Sequence, residues 1–389
     1  MGSELGLAAG QFVAGVPLRL IRLPGGAPML FIRTVVARDW KFLSFTVLAC
    51  VVAATVATFQ YSVFTSFLRA GAVIPRTVGA DFWIIATSVE CFDFPDFIAE
   101  DYAQTSQQFV PGATYRRVVF GFAPWRSPSG KRGNVAVVGI DGLDISQTSF
   151  IADQSDLSRL DITAKSTKNE ATIGNETLTF AHSVTNLPTF LGAPYVMVPF
   201  DKARQILGIE AGTTAFLIGN YGPGVRPEIG AAQAEMAKTY PEVTLISADD
   251  FSRSSSLYWQ KKTGAGAAIL LAAILAALLM VILLANGISR FIQRHHEDLL
   301  SLLGHGASER EISKIITGVS LMIAVATLTA ALILTPIVLL VANPLLPWTA
   351  FQWEDISFTL GATGVALGIA ALSSRHAIAA YGPDAVFRS

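Results

Sequence analysis

Residues 291–315 read FIQRHHEDLLSLLGHGASEREISKI, a polar stretch set between two long uncharged runs. Upstream, Gly264–Ser289 has no charged residue and is long enough to cross a bilayer as a helix. Downstream, Ile315–Ala342 is equally uncharged and is interrupted only by Pro336. Arg290, Arg294, Arg310 and Lys314, with His295 and His296, lie between them, so the excess of positive charge places this short loop in the cytoplasm. Leu299, Leu300, Leu302 and Leu303 are spaced so that a short helix gathers them onto one side. Gly304-His305-Gly306 predicts a turn, because glycine tolerates the positive φ that ends a helix. Ser308 with Glu311 three residues on forms a capping box that starts a new helix. Four leucines are too many to leave exposed in a short loop, so they are expected to bury against lipid or against another protein.

Asp298–Ser308, DLLSLLGHGAS, resembles the cytoplasmic signature of MacB/FtsX-type ABC transporter permeases, roughly E-I-G-x-L-R-A-x-G-A-S. Leu302, Gly306, Ala307 and Ser308 match it. Asp298 stands in for the acid, Leu303 replaces the usual arginine, and His305 fills a usually apolar position. The resemblance implies a coupling helix that docks on a separate ATPase subunit. The coupling set would be Asp298, Leu299, Leu300, Leu302, Leu303, Gly304, Gly306, Ala307, Ser308 and Glu311.

Composition points to the same class. The chain has 389 residues, of which only 15% are charged, and a mean hydropathy of +0.50, too apolar for an ordinary soluble enzyme. A net charge of −1 gives no sign of a nucleic-acid partner, and none is expected. Cys50 falls in an apolar span and Cys91 in a polar domain, so neither a disulfide nor a thiolate metal site is expected.

Taken in order, residues 1–41 carry Arg19, Arg22, Arg33, Arg38 and Lys41 and read as a cytoplasmic amphipathic segment, with Met29–Trp40 at the membrane surface. Leu5–Leu18 lacks the basic start of a cleaved signal peptide. Residues 42–68 form the first span, and 69–262 a large extracytoplasmic domain rich in Asp, Ser, Thr, Gly and Pro. Within it Phe82–Ala86, Arg117–Phe122, Val135–Ile140, Tyr195–Val198, Ala215–Ile218 and Val243–Ile246 predict strands; Asp201–Leu207 and Pro227–Tyr240 predict helices. The mixture reads as an α+β or α/β domain of more than one lobe. Span two covers 263–289, the coupling loop 290–314, span three 315–342, a short outer loop 343–355, span four 356–374 and a cytoplasmic tail 375–389. The fold class is thus a helical membrane protein with four transmembrane helices and a large mixed α/β extracytoplasmic domain between the first two. Gly264–Ala268, a run of small residues, permits close helix approach. Gln60 and Asn286 are the polar groups within spans, expected to bond across helix interfaces. Two further stretches resemble the same family: Gly79–Ile84 is similar to its G-A-D-x-W-x strand, and Gly382–Arg388 to its terminal D-P-x-x-A-L-R.

Motifs for chemistry are missing from the sequence. Gly130-Lys131 is followed by Arg132 and lacks the upstream glycine of a phosphate-binding loop. No H-E-x-x-H, G-x-S-x-G or C-x-x-C occurs. His295 and His296 are adjacent and do not face one way on a helix, so no metal is expected there. Asn175-Glu176-Thr177 reads as a chance glycosylation match, and the acids of Cys91–Pro95 as parts of a satisfied loop. The chain is expected to be a non-catalytic subunit without a cofactor of its own. The resemblance implies that ATP and Mg are bound by an ABC ATPase partner, that two permease chains, read as identical, assemble with it in the bacterial inner membrane, and that both termini are cytoplasmic. A periplasmic membrane-fusion adaptor and an outer-membrane channel are further expected partners, as for DevC-like separate permeases. The alternatives are an FtsX-like signalling protein that activates a cell-wall hydrolase, or a lipoprotein-releasing permease.

Overall fold

The computed structural model describes residues 27–163, 169–187, 189, 192–224, 228–305 and 307–380. They fall into two compact units: described residues within 27–55, 276–333 and 357–380 in one, those within 56–275 and 334–356 in the other.

The first unit is helical. It holds α1 (Ala27–Arg38) and the start of α2 (Trp40–Ala70). It also contains most of α8 (Ala265–Arg294), all of α9 (His296–Gly304), and large parts of α10 (Glu309–Ala342) and α11 (Trp353–Ala380). Four helices are long and apolar enough to cross a membrane: α2, α8, α10, and α11 over Trp353–Leu372. Their shared core includes Leu43, Cys50, Leu284, Ile288, Ile316 and Ile323. Glycine sets how closely they approach: a Cβ on Gly287 would collide with the γ-methyl of Thr46, and one on Gly318 would meet Ile32 at 2.6 Å. Leu278, Leu279 and Ile282 of α8 point away from this core and are exposed. Asn286 lies on the exposed surface of α8 and Gln60 is half-buried on α2; neither makes the expected cross-helix bond within the described residues. Two hydroxyls within helices are satisfied locally: Thr46 donates to the Phe42 carbonyl and Ser320 to that of Ile316.

The second unit is built on a sheet. Its strands are β1 (Phe82–Ala86), β2 (Ile98–Ala99), β3 (Thr114–Arg126), β4 (Arg132–Ile140), β5 (Ser149–Asp153) and β6 (Glu170–Ile173). They continue with β7 (Glu176–Val184), β8 (Tyr195–Pro199), β9 (Thr213–Thr214), β10 (Phe216–Asn220) and β11 (Val243–Ser247). Nine of them run in the order β11-β1-β10-β3-β4-β8-β5-β7-β6, and β6 pairs again with the far end of β3 through Trp125 and Ile173. Strands β3, β4, β8, β5, β7 and β6 therefore close on themselves, which removes the free edges. The expected lobes exist, but β3, β4 and β8 contribute to both. In β3 the side chains alternate: Val118 and Phe120 enter one apolar core, Val119, Ala123 and Trp125 the other.

The second core fills the closed ring with Phe150, Ile173, Leu178, Val196 and Val198. Helix α5 (Phe200–Leu207) packs over it, with Gly139 making room for Ala203. The first core is aromatic: Trp83 of β1 lies among Phe92, Phe216 and Phe251 at centroid distances of 5.2–6.1 Å. Each such ring, fully buried, contributes about 1.5–3 kcal/mol. Around that core lie α3 (Val73–Thr77), α4 (Tyr102–Thr105), α6 (Ile229–Thr239) and α7 (Ala248–Lys261).

Candidate coupling site

Helix α8 stops at Arg294 because His295 leaves helical geometry, at φ −103° and ψ 19°. Helix α9 then begins with Glu297 and Asp298 in its first turn, where carboxylates favour the positive end of the helix. It closes through His305, whose N–H donates to the Ser301 carbonyl at 3.0 Å, and Ala307, whose N–H donates to Leu302 at 3.0 Å. Gly306, the last residue of the expected Gly304-His305-Gly306 turn, lies outside the described residues. The capping box is formed: Glu311 N–H donates to Ser308 Oγ at 3.3 Å, and Ser308 N–H to Glu311 Oε2 at 2.8 Å.

The leucines correct one expectation. Leu299 is buried in the helical core, and Leu302 and Leu303 pack partly buried against it, so α9 turns its apolar side onto its own bundle. Leu300 is half-buried and stands outside that core. What α9 and the residues after it expose is polar: Glu297, Ser301, Gly304, His305, Ser308, Glu309 and Arg310. Asp298 and Ala307 are partly buried, and Glu311 is exposed. The sequence shows that an apolar side exists but not which neighbour takes it, because the receiving surface (Val35, Leu43, Phe291, Ile312) is scattered along the chain.

Sequence reading also missed the polar group that holds this corner. His295 is 3% exposed, with Nδ1 3.0 Å from Asp298 Oδ2 and Nε2 2.8 Å from Asp39 Oδ2. Asp39 lies off the N–H axis, so that contact is not an aligned hydrogen bond, and it is an ion pair when the imidazole is protonated. The other Asp39 oxygen meets Arg294 at 3.0 Å, and the His295 ring packs on Phe291 at 4.8 Å. Asp39 is the single residue between α1 and α2, so the corner of those helices is tied to the corner of α8 and α9. A neutral imidazole donates from one nitrogen and the imidazolium from both, so either form links Asp298 to this corner. The clue in the sequence was His295 with Asp298 three residues on; its distant partner Asp39 carried none.

A second junction lies where the sheet-bearing unit meets its own helix ends. The Trp259 Nε1–H of α7 donates to Asp93 Oδ2 at 2.9 Å, and the Tyr195 hydroxyl of β8 to Asp93 Oδ1 at 3.2 Å. Cys91 Sγ lies 3.6 Å from the same carboxyl. Burial raises the Asp93 pKa above the usual carboxylate range against the pull of these donors, and burial with Asp93 pushes the Cys91 thiol up to about 12. The carboxyl is thus a satisfied structural group, as its loop was read. Trp259 also sits edge-on to Phe67 at 6.2 Å and against Gly71, where a Cβ would fall 2.5 Å from its ring. Ser256 adds a bond to the Leu68 carbonyl at 2.8 Å. Beyond α7, Gly264 takes φ +71° and separates it from α8, and Gly266 lies against the Gln260 backbone. The small-residue run therefore shapes a sharp local joint between α7 and α8.

Among the described residues no group of His, Cys, Asp and Glu could hold a metal ion. No protein-family model matches the chain, and no curated protein matches its sequence. Solved structures similar to part of it include the periplasmic region of MacB from Actinobacillus actinomycetemcomitans. That likeness has 7% identity and a TM-score of 0.35, over 47% of this chain and 96% of the other. Another is the extracellular domain of the noncanonic ABC-type transporter YknZ from Gram-positive bacteria, at 10% identity and a TM-score of 0.31, over 43% of this chain and 99% of the other. At these values the likeness assigns neither family nor activity.

Proposed function

We propose that this chain is the permease subunit of an ABC transporter of the MacB/FtsX kind. It would couple ATP hydrolysis on a separate ATPase subunit to export, or to mechanical work on the far side of the membrane. The observation that carries this reading is the pinned loop between the second and third membrane-length helices. There a short helix, α9, is held at one end by the Asp39–His295–Asp298 group and followed at the other by the Ser308–Glu311 capping box. A loop built to keep its angle suits the transmission of a push. The four membrane-length helices and the large domain between the first two supply the rest of the layout. In this reading the loop and both termini are cytoplasmic, the sheet-bearing unit is extracytoplasmic, and two copies assemble in the inner membrane with two ATPase chains. ATP and Mg belong to the ATPase; an adaptor and an outer-membrane channel extend the export route.

The ATPase meets the polar side of α9, since three of the four leucines are engaged within the bundle. Ser301 is exposed at the middle of that side. Replacing Ser301 with Trp should abolish co-purification of the co-encoded ATPase and leave the chain folded and inserted. Leu302→Asp should act differently, lowering the thermal stability of the chain itself. Undiminished ATPase capture and activity with Ser301→Trp would show that α9 is not the coupling element.

A further inference from the structure

Within the sheet-bearing unit a cleft of about 400 Å³ opens beside the last turn of α2. Its floor is apolar: Ala70 and Val73 are buried, and Trp348 is fixed by edge contact with Phe67 at 5.9 Å. Two guanidinium groups, Arg69 and Arg76, stand at its wall. Arg69 is held in place by Glu354 at 2.6 Å. Arg76 has no acidic partner within ion-pair distance among the described residues. Partial burial and then the neighbouring Arg69 weaken its hold on its proton, and Asp249 compensates only in part. Among the described residues the one carboxylate lining the cleft, Asp153, is already engaged: Oδ1 accepts from the N–H and hydroxyl of Ser155, and Oδ2 from the Leu187 N–H. Ser66 is likewise satisfied by both backbone groups of Ala350. What remains open is a cation above an apolar floor, at the end of a membrane-length helix.

We propose that this cleft binds the anionic headgroup of an amphiphile, with Arg76 as the primary contact, Arg69 as the second, and Trp348 against the first carbons of the tail. A guanidinium recognises phosphate or carboxylate through paired N–H donors, and an indole suits the boundary between headgroup and hydrocarbon. The inference rests on the proposed function in one respect, that α2 crosses the bilayer and delivers the cleft to its surface. It does not depend on where the ATPase docks.

The test uses the full-length protein in detergent and follows bound lipid by native mass spectrometry. The probes are short-chain phosphatidylglycerol, phosphatidylcholine of equal tail length, and glycerol 3-phosphate. Phosphatidylglycerol should be retained at least tenfold better than phosphatidylcholine, and Arg76→Gln, at an exposed position, should remove that preference without lowering the melting temperature. Trp348→Ala should weaken phosphatidylglycerol binding and leave any glycerol 3-phosphate competition unchanged. Equal retention of phosphatidylglycerol by the parent chain and Arg76→Gln would overturn the proposal, as would equal retention of the two lipids. Competition by glycerol 3-phosphate at the same concentration as the lipid would overturn the amphiphile and leave a phosphate site. Loss of ATPase capture in the Ser301→Trp protein with lipid preference intact would separate this site from the coupling reading.

Discussion

Two polar knots, one in each unit of this molecule, are made of different chemistry. In the helical unit, Asp39, Arg294, His295 and Asp298 form a chain of ionisable groups, part buried and part reaching solvent. In the sheet-bearing unit, a single carboxyl, Asp93, is enclosed by Trp259, Tyr195 and Cys91, with its pKa raised by burial. Both knots bind segments far apart in sequence. The first leaves one side of its assembly, the Asp298 and Arg294 side chains, partly in solvent, and is therefore open to salt and to a docking partner. The second is sealed behind aromatic rings and is open to neither. The corner at α9 is held by adjustable electrostatics; the joint at α7 is held by shape.

The contrast predicts its largest effect at Trp259. Removing this ring empties the space between Phe67, Gly71 and Phe94 and strips Asp93 of its nearest side-chain donor, at 2.9 Å. Trp259→Ala should cost about 3–5 kcal/mol in the sheet-bearing unit, in line with large aromatic truncations. Hydrogen exchange should show α7 and the strand β1 losing protection while α9 keeps its own. Equal loss in α9 would mean the two knots are not independent.

Asp39→Ala should come next, at about 1.5–3 kcal/mol, because it leaves His295 and Arg294 without their shared acceptor. The melting temperature of the purified chain reads it out. Raising salt should lower the parent chain's melting point toward that of the variant, and should not move the cost of Trp259→Ala. A salt-insensitive Asp39→Ala deficit would break the distinction drawn between the knots. Ser308→Ala is smaller again, about 1 kcal/mol, since it removes one cap of an otherwise long helix, α10.

How much of this was legible depends on how far each signal reaches. The spans were legible because an uncharged run is a local property, and β1 coincides with the run Phe82–Ala86 because all five residues are buried and apolar. The capping box at Ser308 was legible for the same reason. Strands β6 and β7 were missed, as EATI and ETLTFAHSV carry Thr and Glu, and β6 buries only alternate residues while β7 buries only Leu178. Helix α7 was missed behind its serines, although Ser247 accepting from the Asp250 N–H at 3.0 Å is a readable cap. The closing of the sheet on itself depends on Trp125 meeting Ile173, a pairing no local pattern announces. The same holds for the candidate site. Its leucines and its cap were in the sequence, but the direction of the leucines and the Asp39–His295 link depend on where α1 folds back.

The smallest effect below the folded pKa, and the sharpest test of the sealed knot, belongs to Asp93→Asn. Burial raises the folded-state pKa of Asp93 above its ordinary value. The fold therefore favours the protonated carboxyl. The stability this supplies is present in full below the unfolded pKa and is lost as pH rises through the raised folded one. A protonated carboxyl has one donor and acceptors to spare, and an asparagine amide has a similar set. The amide oxygen can take the Trp259 N–H, and the amide N–H can donate to the Tyr195 hydroxyl once that hydroxyl rotates. Below the folded pKa the substitution should then change stability by less than about 1 kcal/mol. Above it the variant should hold its melting temperature while the parent chain declines, because asparagine has no proton to lose. Melting curves of both proteins from mildly acidic to alkaline pH decide the matter. If Asp93→Asn were destabilised by the same amount at every pH, with the parent chain's own curve unchanged in slope, the ionised carboxylate would be the form the knot requires. The two knots would then share one chemistry.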